Sequence, residues 1–97
     1  MPGLVFTGSA QADLLEAWLY IAEDSLSAAD RVLAAIERDA GVLLGQPLIG
    51  RARPELGQQV RSWPTSTPYI LYYVNDESDI VVLRVLHHAR DVRLAAF

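Results

Sequence analysis

The feature that most constrains the fold is a helical apolar pattern in the first half of the chain. Gly45 and Pro47 follow this pattern directly, and both residue types commonly end helices. The pattern therefore predicts an amphipathic helix that stops near Gly45. Its apolar side chains recur at spacings of three and four residues, at Ala29, Val32, Leu33, Ile36, Ala40, Leu43 and Leu44.

A shorter pattern of the same kind precedes it. Ser9 is a candidate N-cap, and Asp13 and Glu16 are expected on the side of this helix that faces away from its apolar stripe. Ser27 with Asp30 resembles a capping box for the second helix. Two helices joined by a few residues pack antiparallel, so residues 10–44 are predicted to form a helical hairpin. The apolar stripe of its first helix comprises Leu14, Leu15, Trp18, Ile21 and Ala22.

The remaining segments predict strands around this hairpin. Residues 4–6 form a short apolar run, and residues 59–63, 69–74 and 80–86 are rich in strand formers. Polar or proline-containing connections separate them at 50–57, 64–68 and 75–79, and the tail from Ala89 is expected to form one helical turn. The sequence predicts one α+β domain spanning residues 1–97, in the order β-α-α-β-β-β. The antiparallel helical hairpin packs on one face of a mainly antiparallel twisted sheet, a short C-terminal tail follows, and the other face is open.

Composition excludes several classes of function. The chain has no cysteine, which excludes disulfide frameworks, zinc–thiolate sites and thiol nucleophiles. No apolar run approaches the roughly 18 residues of a membrane span, and the start at Met1 and Pro2 lacks the pattern of a signal peptide. A cytoplasmic protein is therefore expected. The formal net charge of −4 argues against a general nucleic-acid coat, which needs a broad basic surface.

The cations are all arginine and are unevenly placed. Residues 1–50 contain seven acids but only Arg31 and Arg38, whereas residues 51–97 contain six arginines and five acids. Guanidinium groups bind carboxylate or phosphate bidentately, so a local anion-binding site is compatible with an acidic chain.

Three chemistries are open from the residues alone. Metal binding by His87 and His88 is disfavoured, because adjacent strand residues point to opposite faces and could share a metal only if the strand has ended. No cofactor or metal is expected. RNA cleavage through the 2′-hydroxyl needs an acid, a base and a cation, for which a histidine with Arg61 and Arg84 on neighbouring strands would serve. Protein recognition is the third, because interface anchors are often aromatic. The candidate aromatics are Trp18, Trp63, Tyr69, Tyr72 and Tyr73.

The order and spacing of these residues resemble the ParE-like toxins of the RelE/ParE superfamily. The resemblance covers essentially the whole chain. Its first part lies in Ala12-Asp13-Leu14, Trp18, Tyr20-Ile21-Ala22, Ala28-Ala29, Arg31, Pro47, Gly50-Arg51 and Arg53-Pro54-Glu55-Leu56. The second part lies in Arg61, Pro68-Tyr69-Ile70, Tyr72-Tyr73, Arg84-Val85-Leu86-His87 and Ala89-Arg90-Asp91.

The resemblance implies the toxin of a type II toxin–antitoxin module, of the kind associated with plasmid stabilisation. It implies inhibition of DNA gyrase by binding rather than by enzymatic chemistry. The alternatives are a RelE-type ribosome-dependent mRNA endoribonuclease using Arg61, Arg84 and His87, and a toxin relic that retains only antitoxin binding. The absence of lysine and a pI near 4.9 suit docking on ribosomal RNA poorly.

The expected partner is a ParD-like or similar antitoxin, whose acidic helical tail would fold between hairpin and sheet with its acids on Arg61 and Arg84. Neither a membrane nor sequence-specific nucleic acid is an expected partner. The candidate residues for binding target or antitoxin are Arg51, Arg53, Arg61, Trp63, Tyr69, Arg84, His87 and Arg90.

Overall fold

The computed structural model describes residues 3–97, so the expectation for Met1 and Pro2 lies outside the described residues. It confirms the predicted α+β class, with the helical hairpin followed by the sheet. A two-residue strand, β2, lies in the segment predicted to be a polar loop. The elements are β1 Leu4–Phe6, α1 Gly8–Ala22, α2 Leu26–Gly45, β2 Arg51–Ala52, β3 Arg61–Pro64, β4 Tyr69–Asp76, β5 Asp79–His87 and a 3₁₀ turn at Val92–Leu94.

The sheet has five strands in the order β1-β5-β4-β3-β2. β1 runs parallel to β5 and the other pairs are antiparallel, which confirms a mainly antiparallel sheet. A register shift between Tyr72 and Tyr73 marks a bulge in the β4–β5 ladder. Among residues 3–97, neither helix combines the length and apolarity required to cross a bilayer.

Both helix caps lie before the residues predicted for them. Thr7 caps α1, with its Oγ1 accepting a hydrogen bond from the Ala10 N–H at 3.1 Å. Ser25 caps α2 in the same way, accepting from the Ala28 N–H at 3.1 Å. The predictions of Ser9 and of Ser27 with Asp30 are therefore wrong, because those residues already lie inside the helices and a cap needs an extended backbone.

α1 faces the core with only part of the predicted stripe, because Leu14 and Ile21 pack against the core cluster but the most deeply buried side is a neighbouring one. Its buried residues are Ala10, Asp13 and Ala17, whereas Leu15 is 59% exposed. Small alanine side chains let the helix approach the sheet closely, and Asp13 is buried because it has an ionic partner there. The core cluster comprises Ala10, Ala17, Ile36, Ala40, Leu43, Tyr69, Leu71, Tyr73, Ile80, Val82 and Val85.

The sheet face predicted to be open is partly covered by the chain's own tail. Phe97 packs edge-on against Tyr72, with ring centroids 5.3 Å apart. The Ala96 carbonyl accepts a hydrogen bond from Arg84 Nη1 at 2.9 Å. The predicted helical turn after Ala89 is present as the 3₁₀ turn, and the segment beyond it returns to the sheet.

Candidate functional site

Arg84 forms a buried ion pair with Asp13. Its Nε and Nη2 atoms donate to Asp13 Oδ2 and Oδ1 at 2.7 and 2.9 Å, and their side chains are 13% and 6% exposed. Asp13 Oδ2 also accepts the Val85 N–H at 3.0 Å. The hydrogen bond to Asp13 raises the pKa of Arg84, opposed in part by burial. The Arg84 guanidinium is thus occupied within the fold.

Arg61 has a comparable internal role. Its Nη1 donates to the carbonyls of Gly50 at 2.7 Å and Leu48 at 3.3 Å. The Tyr73 hydroxyl holds the same segment, donating to the Pro47 carbonyl at 2.9 Å and accepting the Gly50 N–H at 3.0 Å. Burial raises the pKa of Tyr73, against the lowering effects of the Gly50 N–H and the Arg61 charge. Together these groups fix the chain between α2 and β2.

The structure does not bring Arg61 and Arg84 together. They lie on β3 and β5, which are separated by β4 rather than being neighbours. In the strand register Arg61 lies opposite Tyr73, a member of the core cluster. Arg84 lies opposite Tyr72, which packs against Phe97 on the other face of the sheet. Because side chains alternate between faces, the Arg61 and Arg84 side chains leave the sheet on opposite faces, and the Arg84 guanidinium then reaches Asp13 of α1. The predicted placement on neighbouring strands is wrong.

Arg53 is held over the face of the sheet that carries Tyr72. Its Nε donates to Glu55 Oε2 at 2.8 Å and its Nη1 to Ser62 Oγ at 3.3 Å. Its guanidinium carbon lies 5.9 Å from the centroid of the Tyr72 ring, a cation–π distance. The hydrogen bond to Glu55 raises the pKa of Arg53.

Arg51 and Trp63 have different environments. Arg51 lies on β2 at the edge of the sheet and is exposed. Trp63 is half-buried on β3, where it packs against the core cluster. Of these two predicted binding residues, Arg51 offers a freely exposed charged group.

Three of the predicted residues, Tyr69, His87 and Arg90, meet in a cleft of about 350 Å³. This cleft, which we call the α1–β5 cleft, lies between α1 and the adjoining ends of β4 and β5. The His87 ring packs edge-on against Tyr69, with centroids 5.4 Å apart, and its Nδ1 accepts the Ala89 N–H at 3.1 Å. The complete lining is Asp13, Glu16, Ala17, Tyr20, Tyr69, Val85, Leu86, His87 and Arg90.

Sequence reasoning missed the α1 wall of this cleft. Asp13, Glu16, Ala17 and Tyr20 recur at spacings of three and four residues, so they share one helix face. That spacing was the available signal, but Leu14 and Leu15 define a more apolar stripe, which predicts Asp13 and Glu16 on the opposite side of the helix.

The strand end that would let His87 and His88 lie on the same side is present in the structure. Strand β5 ends at His87, and the rings of His87 and His88 stack with centroids 4.6 Å apart. The alternation of a strand therefore does not extend to His88. Within residues 3–97, no three or more His, Asp or Glu side chains are grouped closely enough to hold a metal ion.

The fold, a helical hairpin on one face of a five-stranded mixed sheet, is shared with toxins of toxin–antitoxin systems. The family model described as "ParE toxin of type II toxin-antitoxin system, parDE" matches residues 4–92. The chain belongs to this family. No curated protein matches it significantly.

Two solved structures place the fold among its relatives. The chromosomal ParDE toxin–antitoxin system of P. aeruginosa superposes with a TM-score of 0.75 at 22% identity, covering 90% of this chain and 96% of that chain. The toxin–antitoxin complex RelBE2 of Mycobacterium tuberculosis superposes with a TM-score of 0.66 at 31% identity, covering 88% and 95% respectively. The first shows a shared fold, and the second, at 31% identity, supports the RelE/ParE superfamily assignment.

Proposed function

We propose that this ParE-family toxin arrests growth by binding DNA gyrase in the cytoplasm, and that a cognate antitoxin neutralises it by direct contact. The observation that carries this proposal is the internal engagement of Arg61 and Arg84. Arg84 is paired with Asp13, and Arg61 is bonded to backbone carbonyls. Two of the groups that an RNA-cleaving site would need thus already have partners.

Geometry further favours binding over RNA cleavage. An acid, a base and a cation must converge within hydrogen-bonding reach of one phosphate. Arg61 and Arg84 leave opposite faces of the sheet, and His87 lies beside Tyr69 in the α1–β5 cleft. The net charge of −4 also disfavours tight docking on ribosomal RNA.

The proposal of an antitoxin partner rests on exposed apolar surface. Leu15, Leu19 and Tyr20 lie on α1 with exposures of 59%, 54% and 71%, and Leu48 and Ile49 are exposed beyond α2. Apolar patches that remain on a small protein commonly mark interaction sites. Both structural relatives come from toxin–antitoxin systems, which agrees with a ParD-like antitoxin as the partner.

The test combines a gyrase assay with an RNA assay. Purified gyrase supercoils relaxed plasmid with and without the chain, and we expect loss of supercoiling that is restored by prior addition of the antitoxin encoded beside it. Unchanged supercoiling at large molar excess contradicts the proposal. Primer extension on translated mRNA is run in parallel. Cuts in the ribosomal A site would establish the ribonuclease alternative, whereas antitoxin binding with neither effect would establish a relic.

A further inference from the structure

The α1–β5 cleft contains a largely buried tyrosine whose hydroxyl makes no hydrogen bond within residues 3–97. Tyr69 is 8% exposed and its ring belongs to the core cluster. Its hydrogen bonds within residues 3–97 are made by its backbone, to Thr65 and Thr67. All fully buried side-chain oxygens and nitrogens in that range have partners, so the unpaired Tyr69 hydroxyl must reach the open space of the cleft that its residue lines. An incoming polar group therefore has a ready hydrogen-bonding partner there.

Some of the charged side chains that line the cleft have ion-pair partners and others do not. Asp13 is neutralised by its two-pronged contact with Arg84. Glu16, on the α1 wall, has no ion-pair partner among residues 3–97, and neither has Arg90 in the turn that follows β5. The cleft therefore presents a free carboxylate on its helix side and a free guanidinium on its sheet side.

Glu16 lies close to both phenols of the cleft. The pKa of Tyr69 is raised, mainly by burial and further by Tyr20 and Glu16, which supports their proximity. Tyr20 is four residues from Glu16 on α1 and therefore stands beside it. The rest of this wall has no basic side chain, since α1 carries Asp13 and Glu16 but neither lysine nor arginine.

We propose that the α1–β5 cleft receives a basic side chain of a protein partner, with Glu16 as its counter-charge and the Tyr20 and Tyr69 hydroxyls as hydrogen-bond acceptors. The apolar stem of an arginine or lysine fits the floor formed by Ala17 and Val85. The aromatic rings add cation–π attraction. Identifying that partner as the antitoxin rests on the proposed function, but the chemistry of the cleft does not.

This surface fits a different antitoxin segment from the acidic tail that the sequence predicts. An acidic segment would bring its charge against Glu16 and the acidic α1 wall. A segment with a basic residue at Glu16 and an acidic residue toward Arg90 matches both free charges. The exposed Leu15 and Leu19 extend the apolar surface of α1 beyond the cleft.

The test is an NMR titration of the isolated ¹⁵N-labelled chain with N-acetyl-arginine amide. N-acetyl-citrulline amide, which is nearly isosteric but neutral, is the matched probe. We expect saturable shifts of the amides of Ala17, Tyr20 and His87 with the arginine probe, and binding at least about fivefold weaker with citrulline, the range of one partly exposed ion pair. Equal binding of both probes, or shifts that do not centre on the cleft, would overturn the proposal.

Variants distinguish binding of the arginine probe in the cleft from its non-specific attraction to an acidic protein. Glu16→Gln is expected to weaken the arginine probe about fivefold, whereas the exposed Glu23→Gln, the matched control at the end of the same helix, leaves affinity unchanged. Arg90→Gln should not weaken binding, because it removes a positive charge that repels the positively charged probe. Equal effects of Glu16→Gln and Glu23→Gln would reject the site. Because the titration contains neither gyrase nor antitoxin, its failure and that of the proposed function are distinguishable.

Discussion

Asp13 of α1 and Arg84 of β5, 71 positions apart in sequence, form a bidentate ion pair that closes the edge of the sheet. β1 pairs with β5 only as far as Val82. Beyond that point α1 and its cap provide the hydrogen-bond partners of the β5 backbone. Thr7 Oγ1 donates to the Leu83 carbonyl at 3.0 Å, and Asp13 accepts the Val85 N–H. Polar groups of the helical hairpin thus satisfy the strand edge that β1 leaves uncovered.

The first prediction concerns this ion pair. Asp13→Asn is expected to lower the free energy of unfolding by about 3 kcal/mol, because it leaves the buried Arg84 guanidinium without its counter-charge. Urea denaturation measures the change. Asp24→Asn, at an exposed carboxylate in the turn between the helices, serves as control and should stay within about 0.5 kcal/mol of the parent. Equal stability of the two variants would show that the pair contributes little.

The second prediction concerns the close approach of Gly50 to Tyr73. A Cβ at Gly50 would lie 2.6 Å from the Tyr73 hydroxyl oxygen and 2.9 Å from the Ser62 carbonyl oxygen. Gly50→Ala is therefore expected to destabilise the fold by about 1–3 kcal/mol through overpacking. Gly41→Ala is the matched control within α2, where a Cβ meets nothing within 4 Å, and it should stabilise by about 0.5–1 kcal/mol. Thermal unfolding distinguishes the opposite signs, and a neutral Gly50→Ala would contradict the prediction.

The helical hairpin was predictable because its signals are local. The period of α2 and the breakers Gly45 and Pro47 lie within one stretch of chain, and the helix ends at Gly45 as expected. The burial of Asp13 was not predictable from periodicity, because the residue that makes it favourable is on the last strand. α1 consequently turns its alanines inward and leaves Leu15 outside.

The candidate site was less predictable than the fold. Composition identified arginine as the chain's basic residue, but only the strand order shows that β4 separates Arg61 from Arg84. β2 contains two residues, which is too short to produce an alternating pattern. The sequence indicates Tyr69, His87 and Arg90 as separate candidates, but their meeting with Glu16 depends on how α1 packs on the sheet.

The third prediction concerns pH and the link between α2 and the β3–β4 connection. Asp39 Oδ2 accepts hydrogen bonds from the N–H and Oγ of Ser66, both at 2.7 Å. The Ser66 N–H is the largest cause of the lowered pKa of Asp39, and burial opposes it. The lowered pKa means that the Asp39 carboxylate binds a proton more readily in the unfolded chain than in the folded one. Ionised Asp39 therefore stabilises the fold above the ordinary pKa of 3.8, and this stabilisation is lost as pH falls through the lower folded value.

Replacement by the neutral amide tests that linkage. Asp39→Asn should cost more stability at pH 6 than at pH 2, so the free energies of unfolding of variant and parent converge on acidification. Urea titrations at several pH values measure the difference. Glu37→Gln, at an exposed position two residues earlier on α2, should show a smaller pH-dependent difference. A difference in the free energy of unfolding between Asp39→Asn and the parent that stays constant with pH would rule out the proposed linkage.

The fourth prediction concerns Arg51, a predicted binding residue with an exposed guanidinium. Arg53, Arg61 and Arg84 bind internal groups, whereas Arg51 is exposed at the sheet edge and has no ion-pair partner among residues 3–97. If the proposed gyrase contact uses this edge, Arg51→Gln raises the toxin concentration for half-inhibition of supercoiling about fivefold, as expected for one interfacial charge. The fold should be unaffected because the side chain is exposed.

Arg31→Gln makes the same chemical change on the exposed surface of α2 and should leave inhibition unaltered. Both variants are compared with the parent across a toxin concentration series, after circular dichroism has verified equal folding. A fivefold loss confined to Arg51→Gln supports a target contact at the β2 edge. Equal inhibition by the parent and both variants would remove Arg51 from the gyrase-binding surface, and a loss confined to Arg31→Gln would move that surface to the helical hairpin.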